Sequence, residues 1–137
     1  MGRVTATILT LTLSAWAGDQ EVAKFPFAKG ETALRCKRYA DAEGYLRRAL
    51  EEYTPYPEAS YAHGVALEKL DRSQEATAAY RACIAAVGAA EKPNPKWKTT
   101  GNRAARALKK LRREFAALDK LSEKHTKDLL SFAQKNA

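Results

Sequence analysis

The chain repeats itself at a spacing of 34 residues, and that property restricts its fold more than any other. Shifted by 34, Gly30 falls on Gly64, Ala28 on Ala62 and Phe27 on Tyr61. Asp41 falls on Glu75, Ala42 on Ala76, Leu46 on Tyr80, Ala49 on Cys83 and Leu50 on Ile84. Apart from Ala33 on Leu67, small positions meet small ones, large meet large, and acid meets acid. A size-respecting repeat of this length predicts two helical hairpins in tandem. Gly30 and Gly64 let the helices of a hairpin approach closely, and Ala42 and Ala76 do the same from the second helix. Leu46 with Tyr80, and Leu50 with Ile84, fill the space between layers.

The breaks between helices are also legible. Turns are expected at Lys37-Arg38-Tyr39 and Asp71-Arg72-Ser73. Two prolines in Tyr53-Thr54-Pro55-Tyr56-Pro57 stop the second helix and reset the chain. Pro26 is expected early in the first helix, where a missing amide donor costs little, and Gly88 is expected to close the second hairpin.

The segments Gly30-x2-Ala33, Tyr39-Ala40-Asp41-Ala42, Leu46-x2-Ala49, Gly64-x2-Leu67, Ala76 and Tyr80-x2-Cys83 resemble tetratricopeptide repeats. The resemblance covers residues 23–90. It implies an all-α fold of right-handed antiparallel helical hairpin repeats, a solenoid, with residues 18–90 holding two hairpins. The family's helix-one aromatic is Pro26 in one repeat and Ser60 in the other, a departure that bears on the angle between repeats. The resemblance also implies a concave groove lined by the first helix of each hairpin. By matching position that groove presents Lys24, Phe27, Glu31, Leu34 and Arg35, then Glu58, Tyr61, Val65, Glu68 and Lys69. Family members that grip a peptide's terminal carboxylate use Lys with Asn partners on this face. Residues 18–90 contain no Asn, which argues against such a clamp. Phe27 and Tyr61 have two readings: exposed anchors for a partner, or packing between neighbouring helices.

Charge is unevenly distributed. The formal net charge is +8, yet residues 18–90 hold ten Lys/Arg against eleven Asp/Glu. Residues 91–137 hold thirteen against five, so the last third carries the excess. Within it, Asn94-Pro95 is a helix-start signature, and no proline follows. Trp97, Gly101, Ala104, Leu108, Leu111, Phe115 and Leu118 recur at alternating spacings of four and three, and Leu129 and Phe132 resume the stripe. Residues 91–137 are therefore expected to form a long basic helix whose stretch from Trp97 to Leu118 caps the array. Three arrangements remain open for residues 119–137: projection into solvent, folding back, or pairing with another copy. Lys109, Lys110, Arg112, Arg113, Lys120, Lys124 and Lys127 lie off the stripe. They form either a solvated face or a docking surface for an acidic protein, an anionic envelope polymer or an anionic lipid. Nucleic acid is not a normal partner for an exported protein; without export it returns as a candidate, although the stacking aromatics of single-strand binders are missing.

Residues 1–17 read as a secretory signal: Arg3, an uncharged run from Val4 to Ser14, and the small-x-small triplet Ala15-Trp16-Ala17. The run is shorter than the ~20 apolar residues that cross a bilayer. Export to the periplasm or beyond is the expectation, with a cytoplasmic location if the segment is not a signal. In an oxidising compartment Cys36 and Cys83 could pair, but the hairpin reading sets them on helices that are not neighbours. Two separate thiols are expected, with Cys83 buried.

No catalytic constellation, cofactor fingerprint or metal-ligand spacing stands out. His63 is expected in or beside the core, His125 at a helix contact, and Glu43, Glu51 and Glu52 on outward helix faces. The expectation is a non-enzymatic scaffold that binds protein through its groove. The alternatives are a structural subunit that assembles through the last helix, and a binder of anionic polymer or lipid.

Overall fold

A computed structural model describes residues 20–137, so the predicted signal at residues 1–17 lies outside them. The described residues form five helices: α1 (Gln20–Arg35), α2 (Tyr39–Glu52), α3 (Pro57–Lys69), α4 (Ser73–Ala89) and α5 (Pro95–Lys135). The fold is all-α. Helices α1 and α2 pack together as one pair and α3 and α4 as another, with α2 against α3 and α4 against α5.

The 34-residue spacing is written into the backbone. Lys37 and Asp71 both take left-handed conformations, with φ of 57° and 58°. The next amide in each turn reaches back alike: Arg38 N–H donates to the Ala33 carbonyl, and Arg72 N–H to the Leu67 carbonyl, both at 2.9 Å. This left-handed closure satisfies carbonyls that a helix end would otherwise leave bare. The close approaches repeat too. A Cβ on Gly30 would lie 2.5 Å from Leu46 Cγ, and one on Gly64 would lie 2.6 Å from Tyr80 Cε1. No side chain larger than hydrogen fits at either place unless its neighbour moves.

The core runs along the array as alanine-rich layers. Ala33, Ala42, Leu46, Ala62 and Ala66 form one cluster between the two pairs. Leu67, Ala76, Tyr80 and Cys83 meet Ala104, Leu108 and Leu111 of α5 in another. Cys83 is buried and Cys36 exposed, and both are free thiols. Burial, with Glu58 as a lesser contributor, pushes the Cys83 thiol up to about 11.

Four expectations change. With α1 reaching back to Gln20, Pro26 is internal to the helix and buried, so the helix forgoes one amide donor there. Gly88 does not end α4, which runs on to Ala89. Glu43 is not an outward residue. Its side chain is 14% exposed and stands 3.2 Å from His63 Nε2, with Arg47 at 3.6 Å and Arg72 at 4.0 Å. It joins α2, α3 and the turn before α4.

The fourth change concerns the cap. Packing along α5 ends at Leu111, whereas Phe115 and Leu118 are exposed. The reason is length. Helix α4 has 17 residues, and α5 has 41. Running back along α4, α5 passes its neighbour's first turn near Leu111 and has nothing further to lie on. From Arg112 onward every residue is exposed, including His125, which was expected at a helix contact, and the helix projects. No described helix is long and apolar enough to cross a membrane.

Candidate functional site

Helix α5 stands to α4 and α3 as α3 stands to α2 and α1. Its start is set by local chemistry. The Asn94 side chain accepts from Trp97 N–H at 2.8 Å, and Pro95 occupies the first helical turn. Gly101 then lies against Val87, where an added Cβ would find ordinary contact at 3.4 Å. The Trp97 indole N–H donates to Glu58 Oε1 at 3.1 Å and ties α5 to α3.

The consequence is a cleft of about 420 Å³ with one wall from each of α1, α3 and α5. Leu34, Tyr61, Ala62 and Val65 supply apolar surface, and Thr100 adds a hydroxyl-bearing side chain from α5. Glu31 and Arg35 rise from α1, Glu58 from α3, and Lys96 and Arg103 from α5. The volume falls within the range of sites that take small ligands or peptide side chains. Glu58 Oε2 is buried and has no hydrogen-bond partner among the described residues. An orphaned carboxylate oxygen of this kind is costly to bury.

Six of the ten expected groove residues line this cleft: Glu31, Leu34, Arg35, Glu58, Tyr61 and Val65. The other four lie elsewhere. Lys24 is exposed and ion-pairs with Glu21 on its own helix. Phe27 is half-buried, its ring 5.0 Å from that of Tyr56. Tyr61 shares both readings: it lines the cleft, and its ring stands 5.8 Å from Tyr80. Lys69 is exposed at the end of α3.

Glu68 faces α4 and α5. It accepts from Tyr80 Oη at 2.9 Å and from Lys110 Nζ at 2.8 Å. Burial alone would raise its carboxyl, but the hydrogen bonds from Lys110 and Tyr80 outweigh that and hold it below the ordinary value. The same carboxylate, after burial, pushes the Tyr80 hydroxyl up. Lys110 is therefore a strut between helices, with Glu114 a second partner at 3.7 Å. Of the other expected basic residues, Lys109, Arg112 and Arg113 are exposed beside the end of the packed region, and Lys120, Lys124 and Lys127 lie along the projecting tail.

Lys96, Thr100 and Arg103 were not anticipated as groove residues. A signal for them existed: Gly101-x2-Ala104 repeats the pattern of Gly30-x2-Ala33 and Gly64-x2-Leu67. Its spacing from Gly64 is 37 rather than 34, largely because α4 has 17 residues where α2 has 14. A second apolar cluster was also missed. Val22, Phe25 and Tyr45 are exposed on the outer side of α1 and α2, with Lys29 Nζ 4.5 Å from the Phe25 ring centre. Among the described residues no group of three or more His, Cys, Asp or Glu is placed to hold a metal ion. Compared with known proteins, the chain matches no family model, no curated protein and no solved structure.

Proposed function

We propose that the chain is a tetratricopeptide-type solenoid that acts as a non-enzymatic scaffold and takes a segment of a partner protein in the cleft between α1, α3 and α5. The carrying observation is the cleft itself: three alternate helices each turn one face toward a shared apolar floor with charged rims. The repeated turns and glycine contacts support the solenoid reading, with α5 in the place of a third repeat's first helix.

The cleft's chemistry describes its ligand. Leu34, Tyr61 and Val65 suit an apolar side chain. The opposed Glu31 and Arg103 suit a segment that carries both charges rather than a uniformly acidic one.

A random-peptide display library panned on the chain tests the reading. Enriched peptides are expected to lose about tenfold in affinity, roughly 1.4 kcal/mol, on Val65→Glu. Val65 is half-buried at the cleft, so an unchanged helical spectrum serves as the folding control. No enrichment, or equal binding by the variant, removes the cleft as a binding site. Phe27→Ala is a poor probe, because its ring also packs on Tyr56.

A further inference from the structure

Beyond Leu111 the α5 stripe continues with nothing against it. Phe115 is 37% exposed, Leu118 61%, Leu129 56% and Phe132 68%. These side chains extend the same face that Ala104, Leu108 and Leu111 bury against α4, at the same alternation of four and three. The unpartnered face is thus continuous with an interface already formed.

The stripe in this tail also reads the same in both directions. Reversed about its midpoint, Phe115 falls on Phe132, Leu118 on Leu129, and Ser122 on His125. An aromatic meets an aromatic, a leucine meets a leucine, and the two polar positions meet each other at the centre. An antiparallel pair of identical helices requires that symmetry, because each stripe position faces its mirror position.

The flanking charges choose the direction. In the antiparallel register Glu114 flanks Lys135 of the second copy, twice by symmetry, and the other flanking pairs, Leu121 with Asp128, Asp119 with Thr126 and Arg112 with Ala133, set no two charges together. A parallel pair would instead set Glu114 beside Asp119, a like-charge contact made twice. The tail is also not a strongly cationic membrane-surface helix. Residues 112–137 hold six Lys/Arg with four Asp/Glu, whereas residues 91–111 hold seven with one.

We infer that residues 112–136 are a dimerisation element that pairs antiparallel with the same segment of a second copy, Phe115 on Phe132 and Leu118 on Leu129. The paired stretch is roughly 37 Å long at 1.5 Å per residue. It sets the two packed bodies, each with its own cleft, at opposite ends of a rod.

The test is sedimentation equilibrium of the full chain under reducing conditions, since Cys36 is exposed. A dimer is expected. Leu118→Glu with Leu129→Glu should give a monomer whose melting transition matches that of the wild type diluted below its dimer dissociation constant, because in a single copy both side chains are already exposed. Glu114→Lys alone should weaken the dimer about tenfold, and adding Lys135→Glu should restore it. A wild-type monomer overturns the proposal, as does a dimer indifferent to the leucine changes. Strengthening by Glu114→Lys would overturn the antiparallel direction. Monomeric chain that binds phosphatidylglycerol vesicles through the same leucines would assign the face to membrane instead.

Discussion

The two halves of α5 carry one stripe and meet opposite fates. From Trp97 to Leu111 the stripe packs on α3 and α4, and Ala104 and Leu111 lose nearly all contact with water. From Phe115 to Phe132 the same alternation stands bare. Fully burying one leucine or phenylalanine stabilises a fold by roughly 1.5–3 kcal/mol, so the projecting half leaves a large favourable term unused. Periodicity marks which face of a helix can be buried. It does not say whether a neighbour is there, and here the packing on α4 ends at Leu111 while the stripe runs on to Phe132.

The sharpest way to break this comparison is truncation at matched positions. Leu111→Ala should lower stability by about 2–5 kcal/mol, because the side chain is 2% exposed and its removal leaves a cavity among α4 residues. Denaturant unfolding in dilute solution reads this directly. A loss below about 1 kcal/mol would mean that Leu111 is packed no better than the tail.

The next effect concerns the polar strut at the end of the packed half. Glu68→Ala should cost about 1–3 kcal/mol, since Tyr80 is 1% exposed and its hydroxyl would lose its acceptor. Glu68→Gln keeps an acceptor for Tyr80 and should cost less. The pH dependence has a definite sign. The Glu68 carboxyl lies below its ordinary value in the folded chain, so the unfolded chain binds the proton more readily. Its contribution is therefore complete above the ordinary carboxylate range and is lost as pH falls through the lower, folded value. The difference in stability between wild type and Glu68→Gln should shrink on acidification; a difference that grows would contradict the strut.

The smallest effect is expected at the matched tail position. Leu118→Ala should change unfolding stability in dilute solution by less than about 0.5 kcal/mol, because its side chain already faces water. A loss near that of Leu111→Ala would mean that the tail is covered even in a single copy.

Much of the fold could be read in advance at particular residues. Gly30 and Gly64 flagged the close approaches, and both proved to sit against the side chains, Leu46 and Tyr80, that the repeat aligns. Asn94-Pro95 marked the start of α5 to the residue. The cleft was half legible. Its α1 and α3 walls follow from matching positions in the repeat, but the α5 wall was hidden by a spacing of 37 instead of 34. Glu68 was placed in the groove because its position matches Leu34; its acid group instead found Tyr80 and Lys110 on the other side. A position in a repeat specifies a place on the helix, whereas a charged side chain goes where its partners are.

What the amino-acid sequence determined by itself is local and periodic: five helices, their turns, the small residues at close contacts, and the apolar face of each helix. These follow from propensity, capping and side-chain size, which act over a few residues. The tertiary structure alone decided three things: where α5 leaves α4, which carboxylates are drawn inward, and that α5 completes the cleft. Each depends on the length and position of a neighbouring helix. A stripe, an acid or a lysine carries no record of what stands opposite it until the chain has packed.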